Sequence, residues 1–289
     1  MVNGPCEMAG VPARAAAASC AVSDSEEPAV KSNVKRDPAR LWTGVATVIV
    51  LLVLWSVADR VGWVGTSFFP SPGNFWSALQ QSVTTGYADG RLWEHLLQSV
   101  KLILMGFLMA TAIGVPLGLW MGWSRKAEAL INPIFLLIRP IPGLAWIPLA
   151  IVWLGVGDAA KIMILWLTAF VPTVINSFSG VRGIERPIIE ASRMLGIRGF
   201  TVVKDVIVPG ALPSIFTGLR LSLQGCLTAL VAAELLGAIL GLGKLLYQGG
   251  LDIYPGMILV GMVAVAITGL ALTALIDLAE RYAMPWRHT

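Results

Sequence analysis

The chain of 289 residues has a formal net charge of +4; 56% of its residues are hydrophobic and only 13% are charged. Soluble domains carry about 25% charged residues, so this composition cannot supply the polar surface that a soluble protein of this length needs. It predicts that much of the apolar surface faces membrane lipid, and the small net charge gives no indication of nucleic-acid binding.

Residues 1–38 are rich in Ala, Ser, Pro and charged side chains. They contain no apolar stretch long enough for the core of a signal peptide, so we expect no cleavable targeting signal. This composition predicts a disordered cytoplasmic tail. Two of the three cysteines, Cys6 and Cys20, lie in the tail, and their spacing relative to Cys226 matches no metal site.

Six apolar segments follow the tail, and most reach the roughly 20 residues that a helix needs to cross a bilayer. Lipid offers no hydrogen-bond partners to the backbone, so each segment is predicted to be a transmembrane helix. The segments are Leu41 to Val57, Leu96 to Trp123, Leu130 to Val156, Ile162 to Val181, Ile215 to Leu240 and Met257 to Ile276.

The distribution of Lys and Arg predicts the orientation of these segments. Basic residues concentrate in the N-terminal tail and in the connection between the fourth and fifth segments, and the connections on the opposite side hold fewer. Cytoplasmic connections carry the excess of positive charge, so this pattern favours a multi-pass protein with both termini in the cytoplasm. An even number of spans, such as six, is consistent with that topology.

The first outer connection, residues 58–95, contains apolar residues at helical spacing: Phe75, Trp76, Leu79 and Val83. This pattern predicts a short helix on the outer membrane surface.

The interior stretch from Arg182 to Pro213 has the pattern of two short helices joined by a glycine turn. Pro187 suits the first turn of a helix, and Gly196 follows where a left-handed residue would end it. Pro209 is predicted to stop the second helix. The apolar faces of the two helices comprise Ile184, Ile188, Ala191 and Leu195 in the first, and Phe200, Val203 and Ile207 in the second.

An amphipathic helix in a cytoplasmic connection has two interpretations. It fits the groove of a partner protein. It is equally consistent with a helix that lies on the membrane surface or packs on its own spans.

The same stretch carries a recognisable signature. Glu190-Ala191-Ser192, then Gly196, then Val206, Val208 and Pro209 resemble the signature E-A-A, three residues, G, nine residues, I-x-L-P of bacterial binding-protein-dependent ABC importer permeases. The spacing is kept throughout. The departures are Ser192 for the second Ala, Val206 for Ile and Val208 for Leu.

Other stretches resemble one branch of that family, the nitrate, sulfonate, taurine and bicarbonate type. They are Phe69 to Pro72, Arg139 to Leu149, Pro209 to Ile215, Gly218 to Arg220 and Ala232 to Glu234. The resemblance runs from about residue 41 to the C-terminus, so residues 39–289 are expected to form a transmembrane permease domain of the type I ABC importer kind, an all-α membrane protein with six transmembrane helices.

The resemblance implies a transporter subunit of the bacterial inner membrane that is not an enzyme. It implies a second permease subunit, with a homodimer favoured, an ABC ATPase that binds ATP and Mg, and a periplasmic or lipid-anchored substrate-binding protein. The cargo would be a small anion such as a sulfonate, taurine or nitrate. Residues 182–213 would be the segment that couples to the ATPase, through Glu190, Ala191, Ser192, Gly196, Val206, Val208 and Pro209.

ATP chemistry is expected in the partner because the chain lacks a phosphate-binding loop. The nearest string, Gly241-Leu242-Gly243-Lys244-Leu245, lacks the first Gly at the required distance and the Ser or Thr after Lys. It is predicted to be a turn on the outer side.

Arg139 and Glu234 are candidates for the translocation pathway, each with an alternative. Arg139 lies near the middle of the third segment, where a charge faces protein or water. It could attract an anionic cargo, or it could bond carbonyls that Pro140 and Pro142 leave free. Glu234 could pair with a nearby Lys, either Lys161 or Lys244, or contact the substrate-binding protein.

Gly114, Gly118 and Gly122 form a small-residue ridge on the second segment. Such ridges let helices approach closely, either within the bundle, which we favour, or at a dimer interface.

The alternative function is an ion-coupled secondary transporter. It would need acidic or His relays at membrane depth. Apart from Lys101, which is counted with the outer connections, the predicted spans hold only Arg139, Arg220 and Glu234 as charged groups. Arg220 is expected to snorkel to the inner surface.

Overall fold

The structure is a computed structural model that describes residues 42–43, 46–47, 49–50, 53–57, 70–197, 199–235 and 237–287. The chain divides into two compact units, residues 1–55 and 56–289. In the first unit, the described residues from 42 onwards are helical. The predicted tail, residues 1–38, and much of the first predicted span lie outside the described residues.

The described part of the second unit is helical, and its β structure is limited there to an isolated bridge between Tyr87 and Gly90. Its helices in chain order are α1 (Pro72–Thr84), α2 (Leu92–Trp123), α3 (Arg125–Ile138), α4 (Ile147–Leu154), α5 (Asp158–Arg182), α6 (Arg186–Met194), α7 (Phe200–Val202), α8 (Val208–Leu235), α9 (Leu242–Leu251) and α10 (Pro255–Ala283). Single 3-10 turns cover Gly143–Trp146 and Pro285–Arg287, and a π turn covers Val203–Ile207.

Four helices among the described residues are long and apolar enough to cross a membrane: α2, α5, α10, and α8 together with the π turn, Val203–Leu235. A fifth span results if α3 and Gly143–Leu154, which meet at a bend of 80°, are one broken span. The all-helical membrane fold is therefore confirmed. The count of six spans stays a prediction because residues 41–57 are only partly described.

Prolines explain the bend between α3 and α4. The break spans Arg139 to Pro142, where Pro140 and Pro142 have no N–H to continue the helical ladder. The chain crosses the break with 3-10 hydrogen bonds from Ile141 N to Ile138 O (3.0 Å) and from Ala145 N to Pro142 O (2.9 Å). The third apolar segment is therefore broken at these prolines.

The prediction that Pro209 stops a helix is wrong. Helical structure runs through it from Val203 to Leu235. The π turn at Val203–Ile207 widens the helix just before the proline, and Val208 N donates to Val203 O. Pro209 then occupies the first turn of α8, where its missing N–H costs little.

The core is built where α2, α5 and α8 approach one another through glycines. A Cβ added to Gly106 would lie 2.5 Å from Leu165 Cβ, and one added to Gly118 would lie 2.6 Å from Val174 O and Ser177 Cβ. The ridge on α2 therefore packs against α5 of the same chain, in agreement with the favoured interpretation.

An adjacent face of α5 packs against α8 in the same way. Gly180 approaches Ala211 O so closely that a Cβ would lie 3.0 Å from it, and the Cβ of Asn176 leaves no room for a side chain at Gly218. Between these contacts, Thr173 Oγ1 and Ser222 Oγ lie 2.7 Å apart. Hydrogen bonding and backbone proximity together bind α2, α5 and α8 into one layered unit.

The predicted surface helix is present as α1. Ser71 caps it by accepting from Asn74 N at 3.0 Å, and Pro72 occupies the first turn. One face packs on α9 and α10, with Ala78 fully buried against Leu245 and Met257. The opposite face exposes Trp76 and Val83, as an interfacial helix would.

We expect Gly118→Ala to destabilise the protein, because the added Cβ would meet a backbone carbonyl that cannot move away cheaply. Overpacking of this kind costs about 1–3 kcal/mol. The matched control is Gly250→Ala on α9, where a Cβ would meet nothing within 4 Å. Chemical unfolding in mild detergent measures both variants, and equal stabilities would contradict the close approach of α2 and α5.

Candidate functional site

The signature-bearing stretch, residues 182–213, is called the coupling segment here. It begins at the end of α5, forms α6, turns at Leu195 and Gly196, and re-enters the bundle through α7 and the π turn. Leu195 N donates to Ala191 O and Ile197 N donates to Ser192 O, both at 3.1 Å. Gly196 has φ +82°, so the predicted left-handed turn is present.

The base of the coupling segment is anchored in its own apolar cluster. Val202 and Ile207 are buried with Val181 of α5 and Ala211 and Ile215 of α8. The half-buried residues at its edge are Ile184, Ile197, Val203 and Val206. The predicted apolar face of the second helix is thus confirmed for Val203 and Ile207, whereas the side chain of Phe200 lies outside the described residues.

The tip of the coupling segment is left uncovered by the rest of the described chain. Met194 is 88% exposed, Leu195 is 81% exposed and Ile188 is 51% exposed. Large apolar side chains at such exposure are not packed on the protein's own spans, so that interpretation fails for this face. The remaining interpretations are that the tip binds a groove of a partner protein or that it contacts lipid. Leaving these apolar side chains in water would be unfavourable.

The signature residues divide between the two parts of the segment. Glu190 and Ala191 are exposed on α6, whereas Ser192 is buried and donates its hydroxyl hydrogen to Ile189 O at 2.8 Å. The remaining signature residues, Val206, Val208 and Pro209, are half-buried where the π turn meets α8. Glu190 and Ala191 thus face outward, whereas Val206, Val208 and Pro209 lie at the base of the coupling segment.

A groove of about 360 Å³ lies between the tip and the bundle. Glycines leave it open: Gly180 and Gly183 at the end of α5, and Gly210 at the start of α8. Ile184 and Ile188 form its apolar wall. This groove separates the tip from α8, so the coupling segment contacts the bundle mainly through its base.

Arg220 forms two ion pairs within the chain, and its snorkelling to the inner surface stays a prediction. Its Nε donates to Asp277 Oδ1 at 2.8 Å, and its guanidinium also pairs with the buried carboxylate of Glu280. These bonds connect α8 to α10 beside a polar cavity of about 490 Å³ that Ser214 and Thr217 also line.

The helices carry ionisable groups beyond the ends of the predicted apolar segments. The helices extend beyond the apolar segments, and α5 begins at Asp158 while α10 continues past Glu280. Lys161 is buried and pairs with Asp158 at 3.4 Å.

Arg139 lies at the bend between α3 and α4 with its side chain exposed. Its backbone N–H donates to Phe135 O at 2.9 Å. Among the described residues its guanidinium has neither an ion pair nor a hydrogen bond, so the structure gives no sign that it bonds the carbonyls near Pro140. A place in the translocation pathway stays a prediction.

Glu234 belongs to a buried polar cluster at the other end of α8. It accepts from Ser99 Oγ at 2.8 Å and from Gly243 N at 2.6 Å, and its residue is only 1% exposed. The predicted partners bond elsewhere: Lys161 with Asp158, and Lys244 with Asp89 at 3.3 Å. Its pathway role stays a prediction, while its observed contacts are with neighbouring helices.

The cluster caps the N-terminus of α9. The first N–H groups of a helix have no partners within it. Here Gly241 N donates to His95 Nδ1 at 3.0 Å, and Leu242 N donates to Ser99 Oγ at 2.9 Å. His95 Nε2 lies 3.0 Å from Tyr87 O, so the geometry fits a neutral imidazole that donates from Nε2. We name these three caps, His95, Ser99 and Glu234, the α9 cap.

The two glycines of Gly241-Leu242-Gly243 are required by this cap. Gly241 has φ +153°, and a Cβ at Gly241 would overlap the carboxyl group of Glu234. A Cβ at Gly243 would lie 2.7 Å from Val231 O. The prediction that Gly241–Leu245 is a turn is wrong, because α9 begins at Leu242. The string is the start of that helix, and its backbone wraps a carboxylate of its own chain.

A second contact fixes the far end of α9. Tyr87 donates its phenol hydrogen to Asp252, which also accepts from Gln248 Nε2 at 3.1 Å. Partial burial, then the neighbouring carboxylate of Asp252, raises the pKa of Tyr87 above its ordinary value. The phenol therefore keeps its proton at neutral pH and remains a donor.

We expect Ser99→Ala to lower the free energy of unfolding by about 1–3 kcal/mol, because it leaves the buried Leu242 N–H without an acceptor. Thr228→Ala is the matched control: Thr228 is exposed and bonds only Gln224 O of its own helix turn, at 3.2 Å. Chemical unfolding in detergent compares the two. An effect of Ser99→Ala no larger than that of the control would disprove the cap.

Comparison with known families gives a consistent result. The family described as "Binding-protein-dependent transport system inner membrane component" matches residues 114–287. The taurine transport system permease protein TauC of Escherichia coli (strain K12) is 33% identical over 246 residues, which cover 84% of this chain and 88% of TauC.

Two further relatives cover most of the chain. The putative aliphatic sulfonates transport permease protein SsuC of Bacillus subtilis (strain 168) is 30% identical over 89% of this chain and 93% of SsuC. The bicarbonate transport system permease protein CmpB of Synechococcus elongatus is 27% identical over 82% of this chain and 87% of CmpB.

Among solved structures, an inward-facing conformation of the MetNI methionine ABC transporter matches with a TM-score of 0.59. The match covers 66% of this chain and 95% of that chain at 23% identity. At that identity the likeness concerns the fold alone.

Proposed function

The chain belongs to the binding-protein-dependent transport system inner membrane components, which are the membrane-spanning subunits of ABC importers, and from this membership we propose that the coupling segment is its docking site for the ATPase. The chain is a transport component and not an enzyme, and it works with an ATPase and a substrate-binding protein. The family membership gives no support to the ion-coupled alternative.

The uncovered tip of α6 is the observation that carries this proposal. Met194 and Leu195 present almost fully exposed apolar side chains, and the half-exposed Ile188 lines the groove beside them. A soluble partner with a matching groove would bury them, and helix-in-groove docking of an amphipathic helix is a common recognition mode. Lipid is a poorer occupant, because Glu185, Arg186 and Glu190 are exposed on the same short segment.

The signature residues would then have distinct roles. Ala191 is small enough to let the partner approach, and Glu190 is exposed and free to pair with a partner cation. Gly196 sets the turn that presents the tip, while Ser192, Val206, Val208 and Pro209 hold the base. ATP and Mg would be bound by the ATPase, whose movement would shift α5 and α8 as levers.

We further propose that two copies of this chain pair in the inner membrane of a bacterial cell, with both termini in the cytoplasm. The excess of Lys and Arg in the connections on one side supports the orientation. Residues 39–289 would form the permease domain, preceded by a tail of residues 1–38.

The cargo is proposed to be a small anion such as a sulfonate, taurine, nitrate or bicarbonate. The names of the relatives support this class. So does the exposed Arg139 at the bend of the broken span, since broken helices in transporters commonly line a pathway.

We expect Leu195→Ser to weaken the complex with the cognate ATPase by about tenfold or more, because it removes a central apolar contact. Ile239→Ser is the matched control: Ile239 is 79% exposed, close to the 81% of Leu195, but follows the opposite end of α8. Co-purification and binding titration in nanodiscs measure the effect. Equal affinities of the two variants would rule out docking through the tip.

The cargo class is tested with the chain, its cognate ATPase and its binding protein in proteoliposomes. We expect sulfonates, taurine, nitrate or bicarbonate to stimulate ATP hydrolysis, and choline, a cation of similar size, to have no effect. Arg139→Gln would reduce the stimulation without weakening ATPase docking. Stimulation by choline alone would overturn the anion proposal.

A further inference from the structure

The coupling segment and the α9 cap are connected by a single helix. The π turn and α8 form a continuous helical run from Val203 to Leu235. Its 33 residues span about 50 Å at 1.5 Å per residue. One end of the run is the base of the coupling segment, and Glu234 lies at the other end.

Along this length, α8 is held so that it cannot slide independently of α5. Thr173 and Ser222 are hydrogen bonded at 2.7 Å, and Ser222 Oγ also donates to Ala169 O at 2.8 Å. Gly218 abuts Asn176 with no space for a side chain. Interiors packed this closely transmit displacement instead of absorbing it.

At the far end, the carboxylate of Glu234 is the direct hydrogen-bond link from α8 to α9. Its Oε2 accepts from Gly243 N at 2.6 Å, and its Oε1 accepts from Ser99, which itself accepts from Leu242 N. The carboxyl group is buried and closely surrounded by the backbone of Gly241 and Gly243, so the link is short and has little room to change its geometry.

The segment that this link controls presents exposed apolar residues at its end. Leu251 is 59% exposed and Ile253 is 73% exposed. Ile253 has φ +50°, a conformation that a β-branched residue adopts only when its surroundings impose it. The hydrogen bonds from Ile253 N to Gly250 O and from Tyr254 N to Gly249 O impose it here.

We propose that Glu234 is a positioning residue that makes α9 follow α8, so that the segment 237–254 reports the nucleotide state of the ATPase docked at the opposite end of the bundle. The inference rests on the proposed docking at the coupling segment. It assigns a transmitting role to a buried carboxylate at the end of α8 opposite the docking site.

The test uses the full chain with its cognate ATPase in nanodiscs, nucleotide-free and trapped with ATP and vanadate. Hydrogen–deuterium exchange is measured over residues 184–197 and 237–254. We expect both regions to change on trapping in the parent. Glu234→Gln keeps the shape of the side chain but offers only one acceptor oxygen, so the change over 237–254 should be lost while the change over 184–197 persists.

Thr228→Ala, on the exposed face of α8, serves as the control and should keep both responses. A merely structural cap would behave differently: Glu234→Gln would then raise exchange over 237–254 by the same factor in both nucleotide states and leave their difference intact. That result would overturn the inference.

A second measurement needs no variant at Glu234. Spin labels at Thr228 on α8 and Tyr247 on α9, both exposed, measure the distance between the two helices in each nucleotide state. We expect that distance to stay constant, and a change on trapping would refute the link.

The exchange experiment also tests the docking proposal separately. If hydrogen exchange over residues 184–197 is not reduced when the ATPase is present, the docking proposal itself fails, whatever the result at Glu234.

Discussion

Close approach of backbones is the constraint on which the rest of this structure depends. In lipid, contact between apolar side chains is hardly more favourable than their contact with lipid tails. Helices therefore associate where small residues let main chains and short side chains pack closely. Gly106 and Gly118 on α2, and Gly180 and Gly218 between α5 and α8, supply that contact. The resulting three-helix layer gives both ends of the molecule a common rigid support.

Each end of this layer is finished by different chemistry. At one end, apolar side chains such as Ile207 anchor a segment whose tip, around Leu195, remains uncovered. At the other, buried polar side chains satisfy the first N–H groups of α9, with Glu234 as the shared acceptor. One end thus leaves an apolar tip for a soluble partner. At the other end, the N-terminus of α9 is capped by side chains of the same chain.

The features that sequence reasoning found are local ones. Gly196 predicts a left-handed turn because glycine adopts that conformation easily, and Pro140 and Pro142 predict a break in the helix because they lack N–H groups. The partners of Glu234 could not be found in that way, because Ser99 lies 135 residues away and the other acceptor bond comes from a backbone amide. The partners of Arg220 were missed for the same reason: Asp277 is distant in sequence and lies beyond the predicted apolar segment of its helix.

The π turn at Val203–Ile207 sets the direction in which the coupling segment points. A π turn holds one residue more than the α-helical geometry needs, and each residue of an α-helix turns the chain by about 100°. Everything upstream of Val203 is therefore rotated about the α8 axis by that angle relative to an uninterrupted helix. The direction in which the tip points around the α8 axis thus depends on the number of residues in this turn. Deleting one residue there would rotate the tip about that axis while leaving every side chain of the tip unchanged.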